Sequence, residues 1–231
     1  MNADKGKIES HFHYLHQNPG VAFEEQTAAT YIAGKLREWG YEVTEGIGKT
    51  GVVGQLKVGD GKARIGLRAD TDALPVQEGS DLPYKSKIEG KSHMCGHAAH
   101  SAMLLGAAEY LVKTKNFNGT LNVIFQPAEE VMAGAPAMIA DGLFEKFPMD
   151  VIFGMHNMPG LPVGKLHFTG GPIMAAVDNW AIELTGVGSH GSMPEKSIDP
   201  LVAGAALVMS LQTIVSRNVA PMDAAVVSVG A

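Results

Sequence analysis

Residues 63–75 read ARIGLRADTDALP, a run with β-forming character that stops on two acids, Asp70 and Asp72. The same shape recurs twice downstream. LNVIFQPAEE (residues 121–130) closes an apolar run on Glu129 and Glu130, and VIFGMHN (151–157) closes one on His156. Between these runs the pattern is helical: Ser101–Lys113 is rich in Ala, Leu and Met, and Ala135–Asp141 is stopped by Gly142. Strands alternating with helices imply an α/β domain, its mostly parallel sheet covered by helices on both faces. Upstream, Lys5–Gln17 reads as a helix closed by Asn18-Pro19-Gly20. Glu24–Trp39 reads as a second, with Ala28, Ile32, Leu36 and Trp39 on one face and Gly40 as its stop. Short β-type runs at Tyr41–Thr44 and Gly51–Val58 follow.

The pattern changes at Phe168–Val177 (FTGGPIMAAV), an uncharged, turn-rich stretch that suits a linker. Beyond it come a β-type run (Trp180–Thr185), a glycine loop, a long apolar helix (Asp199–Ser216) and a final β-type run (Ala225–Val229). We therefore expect one domain over 1–173 and part of a smaller one over 174–231. The apolar helix reads first as core and second as a subunit interface.

Composition removes several function classes. Across 231 residues, 18 Lys and Arg face 24 Asp and Glu, a net charge of −6, and no basic block marks a nucleic-acid partner. The N-terminal MNADKGKIES is charged and has no apolar core of a secretory signal. Leu201–Ser216 is interrupted by Gly204, Gln212 and two serines, short of the roughly 20 apolar residues of a membrane span. The single cysteine, Cys95, cannot form an internal disulfide, which fits a reducing cytoplasm.

Chemistry concentrates in Ser92–Ser101 (SHMCGHAAHS), which holds Cys95 together with His93, His97 and His100. Thiolate and imidazole are ligands that zinc-like divalent ions prefer, and Gly96 lets the chain turn between the first two. In QPAEE, one carboxylate can bind metal while its neighbour acts as general base, although a Glu pair equally suits a solvated helix start. His156 alone is more simply structural. Asp70 and Asp72 can hold a ligand histidine in one tautomer, yet Asp-x-Asp at a strand end also suits phosphatases. What joins them is position: each follows a separate β-run, and carboxyl ends of parallel strands are where sites assemble. Gly186–Gly191 (GVGSHG) matches the spacing of a dinucleotide loop, but Pro194 follows and no acid stands about 20 residues on. Its histidine, His190, reads instead as a mobile polar group able to reach a site.

With these residues in view, the chain resembles the aminoacylase/carboxypeptidase family of metal-dependent amidohydrolases, in particular its branch of hippurate hydrolases and plant auxin-conjugate hydrolases. The motifs that carry the likeness run from NPGVAFEE through GIGKTGVVG, GLRADTDALPVQE, HMCGHAAHSAMLLGAA, FQPAEE, MIADGLFEKF and FGMHNMPGLPVG to HGSMPEKSIDP and TIVSRNV. The resemblance implies cleavage of N-acyl amino acids at a site of two divalent ions (zinc, manganese, cobalt or nickel). Cys95, His97, Glu130 and His156 would be ligands, Glu129 the general base and Asp70 a support of the metal site. His190, in a lid and dimerisation domain, would reach the partner's site in a homodimer and stabilise the oxyanion there. Ala98 stands where the branch carries Asp. The resemblance also implies that further lid residues and a last ligand histidine belong beyond residue 231, so that the chain is expected to be an N-terminal part. The alternative reading is an inactive fragment that at most binds metal or a partner subunit.

Overall fold

Helix α1 (Lys5–Gln17) opens the computed structural model, which describes residues 4–230, and Asp4 caps it by accepting from the Lys7 N–H. Helix α2 (Gln26–Trp39) ends where Gly40 adopts a left-handed conformation that releases the last turn. Then follow strands β1 (Glu42–Ile47), β2 (Gly51–Val58) and β3 (Arg64–Asp70), helix α3 (His97–Thr114) and strand β4 (Gly119–Gln126). Short helices α4 (Gly134–Ala140) and α5 (Leu143–Lys146) lead to β5 (Val151–Gly154). Helix α3 starts four residues before the expected Ser101, at His97, because Gly96 takes φ 98° and turns the chain directly into the helix.

The strands form one sheet in the order β1-β2-β4-β3-β5. β3 runs parallel to both β4 and β5, whereas β2 is antiparallel to β1 and β4. The α/β class holds, with the parallel ladder confined to β3, β4 and β5. β1 and β2 are joined only by Gly48–Thr50, and so short a turn admits an antiparallel hairpin but no parallel crossover.

Period-two alternation along β4 divides the core between the two faces of the sheet. Leu121, Val123 and Phe125 join Val52, Ile32, Leu36 and Leu105 in the layer under α1, α2 and α3. Ile124 faces the other way and packs with Val53, Met138, Leu143 and Phe147 under α4 and α5. The parallel arrangement sends the carboxyl ends of β3, β4 and β5 to one edge, the edge that carries Asp70, Glu129 with Glu130, and His156.

The chain divides into two compact units, the first ending at Val163 and the second beginning at Gly164. Within the second, Trp180–Thr185 and Ala225–Val229 form no strand, contrary to their β-type composition. A strand needs a neighbouring ladder to take up its N–H and C=O groups, and the only pairing described in this unit is the single bridge Val187↔Ile198. Helix α6 (Pro200–Thr213), capped by Asp199 accepting from the Leu201 and Val202 N–H groups, runs on as a π-helical turn over Ile214–Asn218. With no sheet to lie on, it buries none of its residues, and Leu201, Val202 and Met209 are exposed. The helical stretch Pro200–Asn218 is long and apolar enough, by length and composition, to cross a membrane.

Leu105 is fully buried between α3 and the sheet. Leu105→Ala is expected to destabilise the first unit by about 2–5 kcal/mol through lost burial and the cavity left behind, measured by denaturant unfolding followed by circular dichroism.

Candidate metal centre

Gly96 is the point on which the Cys-Gly-His segment turns. Its φ of 98° lies in the left-handed region, and a Cβ placed there would sit 2.2 Å from Asn157 Oδ1. No residue with a side chain fits. The turn brings Cys95 Sγ to 3.4 Å from His156 Nε2, while His97 enters the first turn of α3 and is completely buried.

His97 is held from behind. Its Nδ1 lies 2.9 Å from the Asp72 carbonyl and 3.2 Å from Asp72 Oδ1, both acceptors, so Nδ1 carries the proton. Nε2 is therefore a bare lone pair. It points to where Asp70 Oδ2 stands at 3.7 Å, Glu130 Oε1 at 3.7 Å and Glu129 Oε2 at 3.8 Å. Asp72 uses its second oxygen to accept the Glu130 N–H at 2.9 Å, so one carboxylate ties the histidine to the acidic loop. Asp70 in turn accepts from His100 Nδ1 at 2.6 Å and from Arg68 at 2.8 Å, and the Asn157 N–H donates to His100 Nε2 at 3.0 Å.

Three groups of potential ligands overlap on His97: Cys95 with His97 and His156, Asp70 with His97 and His100, and His97 with Glu129 and Glu130. In each, the ligand atoms lie within 4.8 Å of one another. The fit to a cation rests on two buried atoms, His97 Nε2 and Glu130 Oε1, which have no hydrogen-bond partner among the described residues although they face each other. Two buried acceptors cannot satisfy each other without a proton between them, and a cation there would satisfy both. A soft thiolate, imidazoles and carboxylates together suit zinc and its first-row neighbours.

The electrostatics agree. Burial, then the charges of Glu130, Glu129 and Asp70, push the Cys95 thiol up to about 11. Burial and the neighbouring Glu129 and Asp72 raise Glu130 above the ordinary carboxyl range. Burial would raise Asp70 also, but the His100 hydrogen bond and the Arg68 guanidinium hold it down to about 2. Burial works against charge on His97, yet the Asp72 hydrogen bond and Asp70 raise it above the ordinary imidazole value.

Among the residues singled out from sequence, Cys95, His97, Glu129, Glu130, His156 and Asp70 converge here. His93 does not: it joins none of the three groups, its ring lies 6.1 Å from that of His16, and its buried Nδ1 has no partner among the described residues. His190 belongs to the second unit. Its Nδ1 accepts from the Ser192 N–H at 3.2 Å, and it lines a cleft of about 470 Å³ with Ser189, Ser197 and Asp199. Ala98 is buried in the apolar layer under the helices, not in the ligand cluster. His100 and Asn157 are members that sequence reading left without a role. His100 was signalled by standing three residues after His97, one turn along the same helix, but Asn157 carried no signal beyond its position after His156.

A family model described as peptidase family M20/M25/M40 matches residues 66–226, which include every residue of this cluster. The chain belongs to this family. It is 55% identical to the hippurate hydrolase of Campylobacter jejuni, over 98% of this chain and 59% of that protein. It is 41% identical to the N-acetyl-L-cysteine deacetylase of Bacillus subtilis, over 94% of this chain and 52% of that protein. Its fold matches the crystal structure of the Bacillus subtilis YXEP protein, described as a dinuclear metal binding peptidase from the M20 family. That match has a TM-score of 0.64 at 38% identity, over 69% of this chain and 45% of the other. The chain thus spans a little over half the length of the curated relatives it matches.

Burial, aided by the charge that His16 and His97 carry when protonated, pushes His93 down from 6.5 to about 3. A neutral buried imidazole favours the folded state above the unfolded value. That contribution is lost as pH falls from 6.5 towards 3, where the unfolded chain takes up the proton first. In the metal-free chain the His93 contribution is expected to fall away across this interval, opposed by Glu25 and Glu130, whose carboxyls burial raises, and His93→Gln to reduce the slope, as read from urea unfolding at stepped pH.

Proposed function

We propose that the protein to which this chain belongs is a metal-dependent amidohydrolase of N-acyl amino acids, releasing a carboxylate and a free amino acid. The observation that carries this reading is the pair of buried, unpartnered acceptors, His97 Nε2 and Glu130 Oε1, 3.7 Å apart beside Cys95 and His156. The substrate class is the one named for the C. jejuni and B. subtilis relatives, both of which act on acylated amino acids by name.

In this reading Cys95, His97, Glu130 and His156 hold two divalent ions, the number stated for the YXEP protein. Bound cations supply Lewis-acid polarisation of the scissile carbonyl and make water acidic enough to attack near neutral pH. Glu129 is the general base: its carboxylate stands 3.8 Å from His97 Nε2 but stays open to solvent, as a proton carrier must. It takes the proton of the attacking water as the new C–O bond forms, then returns it to the amide nitrogen as the C–N bond breaks. Asp72 keeps His97 in the tautomer whose lone pair faces the site. Asp70 orients His100, and its negative charge favours cations at the centre.

His190, placed on a lid that extends over residues 174–231, contributes to the oxyanion environment of a partner subunit in a homodimer. The catalytic part then covers 1–173, the native ions are zinc, manganese, cobalt or nickel, and the protein works in the cytoplasm.

Hippurate hydrolysis with added manganese, cobalt or zinc tests the assignment. Glu129→Gln is expected to lower turnover by at least about 100-fold while leaving metal content unchanged. Metal binding without any hydrolysis of hippurate would instead identify the 231-residue chain as an inactive part of the enzyme. Because the Cys95 thiol stands at about 11 without metal, cobalt uptake near neutral pH displaces its proton. Cobalt affinity should therefore rise with pH, and Cys95→Ser should reduce both the slope and the thiolate-to-cobalt absorption band.

A further inference from the structure

Glu25 is a buried acid, only 1% exposed, at the start of α2, and its carboxylate is not used to cap that helix. It turns instead towards three uncharged donors from three parts of the chain. Oε1 accepts the Phe23 N–H at 3.0 Å and the Ala128 N–H at 3.0 Å, and Oε2 accepts the Thr50 hydroxyl at 2.5 Å. No salt bridge to Glu25 is formed among the described residues, so these bonds are what offsets the burial of its charge.

Two of its donors are backbone groups in a conformation that side chains disfavour. Phe23 has φ 64° and Ala128 φ 48°. Left-handed backbone is unfavourable at such residues, so it persists only where surrounding bonds enforce it. Ala128 immediately precedes Glu129 and Glu130. Its own carbonyl accepts the Ala133 and Gly134 N–H groups, which closes residues 128–134 into a tight loop. The segment leading into α2 also reaches the other acidic loop: the Gly20 carbonyl accepts the Ala73 N–H at 2.8 Å, next to Asp72. Residues 20–25 therefore hold the backbone beside Asp72 and beside Glu129 at once.

We infer that Glu25 is a positioning residue for the centre, resting on the reading above: through the Ala128 N–H it sets the direction in which Glu129 and Glu130 leave β4. Its influence reaches the ligands through backbone, since it touches neither carboxylate.

The test compares Glu25→Gln and Glu25→Ala with Tyr41→Phe, which removes a buried hydrogen bond to the Ala108 carbonyl in the same unit, away from the centre. Amide hydrogen exchange of residues 128–134 in the metal-free chain should quicken by about tenfold in Glu25→Gln, the expected loss of charge assistance, and stay unchanged in Tyr41→Phe. Cobalt affinity, titrated through the Cys95 thiolate band, should fall by about 10–100-fold in Glu25→Ala and less in Glu25→Gln, which keeps an acceptor. Unchanged exchange in the 128–134 loop overturns the inference. So does faster exchange with cobalt affinity intact, which would leave Glu25 a purely structural acid, or an equal loss of affinity in Tyr41→Phe. Failure of the unaltered chain to bind cobalt overturns the metal-centre reading and this inference together. Cobalt binding that survives in Glu25→Ala overturns the inference alone.

Discussion

Asp72 accepts from His97 Nδ1 with its carbonyl and one carboxylate oxygen, and from the Glu130 N–H with the other. That one acid binds the loop after β3, the first turn of α3 and the loop after β4 into a single body. It also decides the chemistry of the centre: with Nδ1 engaged, the Nε2 lone pair has nowhere to point except towards Asp70, Glu129 and Glu130. The ladder makes this possible. Asp70 pairs with Gln126 at the end of the parallel register, so the two loops leave the sheet side by side.

The cost of the arrangement is concentrated charge. Asp70 and Asp72 are almost completely buried, and Glu130 is partly so, within reach of one histidine. Burial penalises every one of these charges. Arg68 and His100 compensate Asp70, while Cys95 and Glu130 are left raised, protonated more readily than usual. A cluster of this kind is least at ease without a cation and gains most from one, which links the stability of the centre to metal binding. Glu25 meets a similar penalty without a metal: burial raises its carboxyl, and hydrogen bonds from Thr50, Ala128 and Phe23 oppose that rise.

Much of the first unit was legible from sequence. Helix α1 and strand β2 fall on the expected residues, since α1 has Asn18-Pro19-Gly20 to end it and β2 is an unbroken β-type run between glycine turns. The crowding of Cys and His was legible too, because these are uncommon residues and their density around Gly96 is a compositional signal; the structure brings Cys95, His97 and His156 together. The second unit was not. Trp180–Thr185 and Ala225–Val229 have β composition, but strand formation depends on a partner that composition does not name. His93 looked equivalent to His97 and His100 because all three share one motif. Only the turn at Gly96 and the phase of α3 separate it from them. Glu25 stood in the NPGVAFEE motif without a role, since its bond to Ala128 spans 103 positions of the chain.

The amino-acid sequence by itself determined the alternation of strands and helices, the residues available as ligands, and their placement after separate strands, because periodicity, glycine turns and side-chain chemistry are local properties. Tertiary structure decided which of those residues meet. It made the sheet mixed, by joining β1 to β2 through too short a turn for a crossover. It set the tautomer of His97 through Asp72, sent His93 towards His16, and brought Glu25 under the acidic loop. The last three of these are contacts between segments distant in the chain, which no local pattern encodes.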